Sequence, residues 1–432
     1  MPTPRLLALL MLPAGILLAS TWAPLLGWVA LLAVVLALLA ALLDALLSVK
    51  PSQIALSRSH DALLSIGTSN RIKLMVANQG ARELRYVLRD ESPDEFQTSA
   101  SLLPGVVAPY GTARQEYTLK PFRRGEYAFG AINLRYRGVL GLLERQIQHC
   151  QTDPAIVYPD ILELRKHTLS ARGTEQQTDR RTRLRGGAEF ERLREYTPDD
   201  EYRHIDWNAT ARVSKPIVRQ YQTERNQNIM LVYDLGRQMT SPQGELLKVD
   251  YAINSGVVLG WVGSQRGENI GLLTFNDAVR AYLPPRTGSG QYRRILDALY
   301  RAEPELVEPD YHRAIAYLGV RNPRRSLVII FTDIADRTAA QTLLASVGSL
   351  QPRHLPMIVL LADPNLRRYA EAEPRDEDDL YRAAVAQRLL GERATLLKTL
   401  EARGVITLDV TADQLTVALL DRYLQIKARG AL

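Results

Sequence analysis

Residues 228–234 read Asn-Ile-Met-Leu-Val-Tyr-Asp, an apolar run of strand-forming residues that ends in a carboxylate. A second run of this kind, residues 326–331, is followed by Thr332 and Asp333. Neither run alternates polar with apolar residues, as a strand with one exposed face would. Strands buried on both faces are typical of parallel sheets covered by helices.

The residues around these runs predict a doubly wound α/β domain over residues 228–432. Further strands are expected at residues 269–275, 356–361 and 405–410, and helices at residues 249–265, 291–300, 311–318 and 412–428. Because strands and helices alternate along the chain, the sheet should be mostly parallel with helices on both faces.

Carboxylates follow two of these strands at the edge where open α/β sheets bind ligands. Asp234 ends the first run and Asp333 follows the other, with Asp336 close by. Two interpretations stand on spacing alone. The carboxylates converge on a hard divalent cation such as Mg²⁺, or each one caps the helix that follows.

Residues 50–163 predict an all-β sandwich domain. Alternating runs at residues 71–76, 83–88 and 131–136 indicate strands with one buried face, and turn-forming pairs containing glycine separate them. Residues 164–227 begin as a basic, polar linker that lacks the interleaved aromatic residues needed for base stacking. We therefore expect no nucleic-acid partner.

Residues 1–49 are largely apolar and predict a transmembrane hairpin with spans at about residues 6–22 and 25–47. Arg5 precedes the first span, and Lys50 and Arg58 follow the second, so the soluble domains of this multi-pass plasma-membrane protein should be cytoplasmic. The alternative is a cleaved secretory signal followed by an anchor, which places the domains outside. Asp44, near the end of the second span, is expected to reach the lipid headgroups.

Composition excludes some classes of protein. The single cysteine, Cys150, excludes an intramolecular disulfide scaffold and a zinc site made of several thiolates. The formal net charge of +7 suits contact with anionic lipid, nucleic acid or an acidic protein, and charge alone does not separate these.

A long motif links the two soluble domains. Residues 187–200 read GAEFERLREYTPDD, residues 203–212 read RHIDWNATAR, and residues 218–221 read VRQY. Together with RRGEY at residues 123–127 and GVLGL at residues 138–142, they closely resemble the signature of the DUF58 family. The α/β domain resembles a von Willebrand factor A domain.

The resemblance implies a membrane-anchored protein with two spans, a β-domain and a cytoplasmic A-type domain. It also implies association with a MoxR-type AAA+ ATPase in a chaperone-like or complex-maturation role, without catalytic activity. The expected function is that of a non-enzymatic adaptor for a protein partner.

The metal-ion-dependent adhesion site (MIDAS) of A domains combines an Asp-x-Ser-x-Ser turn, a threonine and a later aspartate. Here Asp234 and Asp333 match the two carboxylate positions, but Gly236 and Gln238 stand where hydroxyls are expected, and Asp310 lies near the threonine position. A degenerate MIDAS-like site of Asp234, Gln238, Asp310 and Asp333 offers oxygen ligands for Mg²⁺ or another divalent cation. A site without metal is the alternative.

The signature segment mixes acidic and basic residues with aromatic ones. We expect an internal brace, in which the aromatic rings pack and arginines clamp carboxylates, and a partner-binding surface is the alternative. The residues concerned are Glu189, Phe190, Arg194, Tyr196, Asp200, Arg203, Asp206, Trp207 and Arg212.

A metal-dependent hydrolase is the rival function. It would use Asp234, Asp310 and Asp333, with His312 as the base. The sequence has no Gly-x-Ser-x-Gly elbow, no His-Glu-x-x-His helix and no Gly-x-x-x-x-Gly-Lys loop, so serine-nucleophile, zinc and nucleotide chemistry lack support.

Overall fold

The structure, a computed structural model, has a mixed α/β, sheet-rich fold. It divides into two compact units, Met1–Tyr158 and Pro159–Leu432. The first unit contains the segment predicted as a hairpin, residues 1–49, and residues 50–158 of the predicted β-domain. The residues described are 1–19, 25–61, 63–150, 152–160, 189–196, 202, 205–213, 215–222, 227–334, 337–351 and 353–430.

Two apolar helices open the first unit, α1 (Pro4–Ala19) and α2 (Leu25–Leu47). Both are rich in leucine and alanine, which are strong helix formers. Together with the short 3₁₀ turn that follows it, α2 is long and apolar enough to cross a membrane. Within the described residues the α1 segment is apolar but shorter than a standard span.

Antiparallel sheets make up the rest of this unit, in the orders β1-β3-β7-β5, β10-β9-β4-β6 and β2-β11-β8, with β2 and β11 parallel. Alternate residues of β3 and β4 are buried, as the period-two pattern predicts. The strands β1–β11 are Ile54–His60, Leu63–Ser65, Asn70–Asn78, Leu84–Asp90, Phe96–Thr98, Leu103–Val107, Thr112–Pro121, Gly125–Phe129, Ile132–Arg137, Glu144–His149 and Asp153–Tyr158.

Asp44, near the end of α2, is fully buried and binds the loop between β9 and β10. Its carboxylate accepts hydrogen bonds from the backbone N–H groups of Leu140 at 2.7 Å, Leu142 at 2.9 Å and Leu143 at 2.9 Å. A Cβ atom on Gly138 would overlap this carboxylate, so the loop requires glycine there. The expectation that Asp44 reaches lipid headgroups is therefore wrong, because its carboxylate is buried and bound by backbone N–H groups of the loop.

The start of α1 is held by the same loop. The Thr3 N–H donates to the carbonyl of Leu142 at 3.0 Å, and its hydroxyl donates to the carbonyl of Gly141 at 2.8 Å. In β10, the Arg145 guanidinium donates to the carbonyl of Ala45 in α2 at 3.0 Å. The first residues of α1 and the last turn of α2 are thus bound by one short stretch of the β-sheet.

The second unit contains a six-stranded sheet of order β18-β17-β14-β19-β20-β21, with β18 antiparallel to β17 and the other strands parallel. Two short antiparallel pairs, β12-β13 and β15-β16, accompany it. The strands β12–β21 are Glu189–Glu195, Ile217–Gln222, Asn228–Asp234, Pro242–Gln243, Leu246–Leu247, Asn269–Phe275, Val279–Arg286, Ser326–Thr332, Leu355–Leu361 and Ile406–Val410. The helices α3–α10 are Trp207–Val213, Lys248–Gln265, Ser289–Leu299, Tyr311–Arg321, Arg337–Val347, Pro364–Glu371, Glu377–Ala402 and Leu415–Ala428.

The α/β character predicted for this region is confirmed, and every central strand is almost entirely buried. The strands β15, β16 and β18 and the helices α7, α8 and α9 were not predicted from the sequence. A pair of prolines, Pro284 and Pro285, lies inside β18, and proline is tolerated in a sheet only at an edge.

We expect Asp44→Asn to expose the loop between β9 and β10 to solvent exchange. The asparagine amide has one acceptor oxygen in place of two and turns an N–H donor toward other donors, at a cost of about 2 kcal/mol. Hydrogen exchange at Leu140, Leu142 and Leu143 should then be about 30-fold faster. Mass-spectrometric exchange on the detergent-solubilised chain measures this, with Asp94→Asn at an exposed site of the same unit as the control. Unchanged exchange in Asp44→Asn would contradict the assigned role.

Candidate functional site

The candidate site lies where β14 and β19 end. From β14 the sheet extends through β17 on one side and through β19 on the other, so the strand order reverses between these two neighbours. At such a switch point the loops leave the sheet in opposite directions and open a crevice beyond the strand ends. Asp234 is the last residue of β14, and Asp333 directly follows β19.

Asp234 is fully buried, and both of its oxygens have protein donors. Oδ1 accepts the backbone N–H of Gly236 at 2.7 Å, and Oδ2 accepts the hydroxyls of Thr332 at 2.6 Å and Tyr311 at 3.0 Å. A Cβ atom on Gly236 would lie 2.8 Å from Pro309 Cδ. The position at which an A domain carries its first serine is thus closed by a neighbouring loop.

Burial raises the pKa of Asp234 to about 6, although the hydrogen bonds from Thr332, Gly236 and Tyr311 oppose the shift. Burial also raises the pKa of Tyr311 well above its ordinary value, and the Asp234 carboxylate adds to that shift. The tyrosine hydroxyl therefore keeps its proton and remains a donor to Asp234.

Asp333 lies between two protein cations. Its Oδ2 is 2.5 Å from Lys248 Nζ at the start of α4, and its Oδ1 is 2.7 Å from Arg393 Nη1 in α9. Arg393 Nη2 also lies 2.8 Å from Asp409 Oδ1 in β21. Burial alone would lower the pKa of Arg393, but Asp333 and Asp409 outweigh it and raise the pKa above its ordinary value. The charges of this cluster are balanced within the protein.

The other predicted ligands have separate positions. Asp310 precedes α6 and its Oδ1 accepts the backbone N–H of Arg313 at 2.9 Å, so it caps that helix. Gln238 lies in the 3₁₀ turn Arg237–Thr240, and His312 is exposed in the first turn of α6. Asp336 lies outside the described residues.

The arrangement does not fit a divalent cation. Both oxygens of Asp333 already accept from cationic side chains, and those of Asp234 accept from two hydroxyls and an amide. Among the residues that the structure describes, no group of three or more His, Cys, Asp or Glu is placed to hold a metal ion. An ammonium and a guanidinium supply the positive charge that a metal would bring, and the predicted divalent cation stays an untested prediction.

The positions of Lys248 and Arg393 beside Asp333 were not predicted from the sequence. Lys248 follows two leucines and precedes an apolar helix, and a lone cation in such a setting indicates a buried partner. Arg393 gave no comparable signal because α9 carries charged residues throughout its length.

A loop at the same edge of the sheet holds an exposed leucine. Leu306 is 82% exposed. Its neighbours are fixed by backbone hydrogen bonds to the end of β14, from Glu305 N–H to the carbonyl of Leu235 at 2.8 Å and from Arg237 N–H to the carbonyl of Val307 at 2.9 Å. The apolar side chain is thus presented to solvent by an ordered backbone.

Charged pairs surround this leucine. Arg237 Nε lies 2.7 Å from Glu308 Oε1, and Arg280 Nη2 lies 3.0 Å from Glu305 Oε2. All four side chains are about half-exposed, so the pairs contribute little to stability. We name the exposed Leu306 with these two pairs the Leu306 rim.

The signature segment forms the β12-β13 hairpin and α3. Asp206 Oδ1 accepts the backbone N–H groups of Asn208 at 3.0 Å and Ala209 at 3.1 Å, so this carboxylate caps α3. The side chains of Glu189, Phe190 and Arg194, and the whole of Asp200 and Arg203, lie outside the described residues.

Trp207 is 63% exposed and does not pack as the base of a brace. Tyr196 contacts Tyr202 edge to face, with ring centroids 5.9 Å apart, and Tyr202 is itself largely exposed. Arg212 is also exposed. The brace interpretation is therefore wrong for Trp207, because its ring faces solvent instead of packing inside the protein.

We expect the stability of wild type relative to Asp234→Asn to depend on pH. The folded protein binds a proton at Asp234 up to about pH 6, and the unfolded chain only up to about pH 3.9. Raising the pH from 4 to 7 should therefore lower the relative stability of wild type by about 2 kcal/mol. Urea unfolding of both proteins at a series of pH values measures this. A difference that stays constant across the series would contradict burial of this carboxylate.

We expect Arg393→Met to destabilise the α/β unit by about 3 kcal/mol, because Asp333 and Asp409 lose a partner they share. Arg388→Met on the same helix removes only the largely exposed pair with Glu392 and should cost less than about 0.5 kcal/mol. Urea unfolding compares the two variants. Equal losses of unfolding free energy in the two variants would show that the buried ion pairs contribute no more to stability than the exposed pair.

Comparison with known proteins adds a family match. The model described as "Protein of unknown function DUF58" matches residues 192–368. An uncharacterized protein of Mycobacterium tuberculosis (strain ATCC 25618 / H37Rv) is 28% identical over 263 residues, 57% of this chain and 81% of that protein. The uncharacterized protein YeaD of Bacillus subtilis (strain 168) is 23% identical over 218 residues, 50% of this chain and 52% of its own length.

Likeness to solved structures is slight. Proximal thread matrix protein 1 of the mussel byssus has a TM-score of 0.28 at 10% identity, over 47% of this chain and 46% of its own. A Caenorhabditis elegans MSP family member, WR4, has a TM-score of 0.17 at 12% identity, over 24% of this chain and 97% of its own. These scores are too low to define the fold. The DUF58 resemblance is confirmed over residues 192–368, which include Asp234, the Leu306 rim and Asp333.

Proposed function

We propose that this protein is a non-enzymatic, membrane-anchored adaptor that binds a partner protein through the carboxyl edge of its six-stranded sheet. The observation that carries the proposal is the Leu306 rim, in which a leucine 82% exposed to solvent stands on a loop held by backbone hydrogen bonds. An exposed apolar side chain framed by charged pairs has the character of a contact centre with a polar periphery.

The order of the loop supports this role energetically. Association costs less when the contacting segment already has its bound conformation, because little conformational entropy remains to be lost. Leu306 lies between two backbone hydrogen bonds that join its loop to the end of β14. At the same edge, the charges of Lys248 and Arg393 are balanced by Asp333 and Asp409, so recognition rests on the outer loop.

The finer identity of the unit and its partner belongs to the proposal. An antiparallel edge strand beside parallel ones, with aspartates at the ends of β14 and β19, agrees with a von Willebrand factor A-like domain whose metal position is taken by protein cations. A MoxR-type AAA+ ATPase is the partner class that the family resemblance implies. The exposed Tyr202 and Trp207 offer such a partner a second apolar contact.

Anchoring by a two-span hairpin, with both ends and the soluble units in the cytoplasm, completes the proposal. The start of α1 and the end of α2 bind the same β9-β10 loop, which supports their lying on one side of the membrane. Lys50 remains exposed beside this end, whereas Arg58 is buried between Asp90 and Asp153. Arg5 and Lys50 are therefore the flanking charges that favour the cytoplasmic side.

We expect Leu306→Asp to weaken capture of an AAA+ ATPase about tenfold, because a charge in the contact centre must be desolvated on binding. Affinity capture with the tagged full chain from detergent-solubilised membranes, with and without nucleotide, measures the recovered ATPase. Val320→Asp is the matched control, since Val320 is 81% exposed at the end of α6, near the amino end of β19.

Recovery of an ATPase by wild type and Val320→Asp, but not by Leu306→Asp, is the expected result. Equal recovery by all three proteins would exclude the Leu306 rim as the contact. Failure of wild type to recover any ATPase in every nucleotide state would exclude the proposed partner class.

A further inference from the structure

Arginines line the exposed face of the sheet β10-β9-β4-β6 in the first unit. Alternate residues of β4 are buried, which leaves Arg85, Val87 and Arg89 on the outer face. In β9 the same alternation leaves Arg135 and Arg137 exposed. Because β4 and β9 are hydrogen-bonded neighbours, these side chains share one face.

Local carboxylates balance only part of this charge. Arg85 pairs with Glu83 at 2.8 Å and Arg137 with Glu144 at 3.5 Å. Within the described part of the chain, Arg89 and Arg135 have no carboxylate partner. Arginines gathered on one face repel one another and lower the stability of a sheet, so this charge serves something other than folding.

An open groove of about 1320 Å³ runs along this face. Besides the strand arginines, its lining includes Arg5 from the first turn of α1, Arg82 from the turn before β4, and Ser48 and Val49, which directly follow α2. The groove therefore lies beside the ends of both apolar helices. Two further arginines thus join those of the sheet.

The loop that binds Asp44 adds an apolar border. Val139 is 56% exposed and Leu140 is 47% exposed, and Val139 also lines the groove. At a bilayer surface, apolar side chains contact the acyl chains and basic side chains contact the headgroups, so an apolar border next to a basic groove suits such a surface. A bilayer has a headgroup region about 5–8 Å thick on each side of its hydrocarbon core, within reach of an arginine side chain from a helix end.

We propose that this groove binds the phosphate groups of anionic phospholipids, and the proposal rests on the membrane anchoring proposed above. A guanidinium matches phosphate oxygens in bidentate geometry, and several arginines at a membrane surface bind anionic lipid cooperatively with an apolar anchor. Nucleic acid is disfavoured because the aromatic residues of the groove, Tyr86 and Tyr136, are buried and offer no surface for base stacking.

The test measures binding to the full chain purified in a neutral detergent. The probes are dioctanoyl phosphatidylglycerol, dioctanoyl phosphatidylcholine, inorganic phosphate and a single-stranded oligonucleotide, each titrated at low and moderate salt. The test variant is Arg89→Gln/Arg135→Gln. The control is Arg71→Gln/Arg114→Gln, which removes the same charge from exposed positions on β3 and β7 of the other four-stranded sheet.

Phosphatidylglycerol should bind and phosphatidylcholine should not, because both carry a phosphate but only the first has a net charge. Each arginine should contribute about fivefold, so the test variant should bind about 25-fold more weakly while the control stays within about twofold. Melting temperatures of both variants without lipid should not fall below that of wild type, because Arg89 and Arg135 repel their neighbours and the control removes only an exposed pair with Glu116.

Three results would overturn the proposal. Equal weakening in the control would show that binding depends on overall charge. Equal affinity for inorganic phosphate would show that the groove binds a free anion rather than a lipid. Tighter binding of the oligonucleotide would show that it binds nucleic acid. A test variant that melts earlier would be replaced by Arg89→Lys/Arg135→Lys, which keeps the charge and should lose only bidentate contacts, a few-fold in affinity. Capture of an ATPase is measured separately, so failure of this proposal leaves the adaptor proposal intact.

Discussion

A buried carboxylate between two protein cations organises the carboxyl edge of the six-stranded sheet. Asp333, Lys248 and Arg393 come from the end of β19, the start of α4 and the middle of α9, so their charges join elements far apart in the chain. Burial of any one of them alone would be costly, because an unpaired charge loses its hydration. The packing of these elements therefore depends on all three charges being brought together.

The chemistry of the edge follows from this balance. Lys248 and Arg393 both face Asp333, and among the described residues the donors to the neighbouring Asp234 are neutral, two hydroxyls and a backbone amide. Burial then dominates, and the pKa of Asp234 rises. The inner part of the edge, with Asp234 and Asp333, is buried, and Leu306 on the neighbouring loop is exposed. The proposed adaptor role therefore rests on this exposed loop.

The sequence predicted the elements of the α/β unit better than its contacts. Continuous apolar runs such as residues 229–233 identify buried strands because both faces must be covered. The sequence predicts Asp234 and Asp333 at adjacent strand ends but not the cations near them, since Lys248 and Arg393 lie at least 14 residues from either aspartate and meet Asp333 only through the fold. Leu306 had no signal either, because exposure of a single leucine in a loop leaves no periodic pattern.

The bond between Asp44 and the β9-β10 loop has a mechanical consequence. A carboxylate in the last turn of a helix is held by amides almost one hundred residues later, so no free joint separates the helix from the sheet. In a bilayer, the tilt of α2 would then set the orientation of the antiparallel sheets of the first unit relative to the lipid surface. During synthesis the helix also leaves the ribosome before Leu140, Leu142 and Leu143 are made, so Asp44 gains these partners only after almost one hundred further residues have been added.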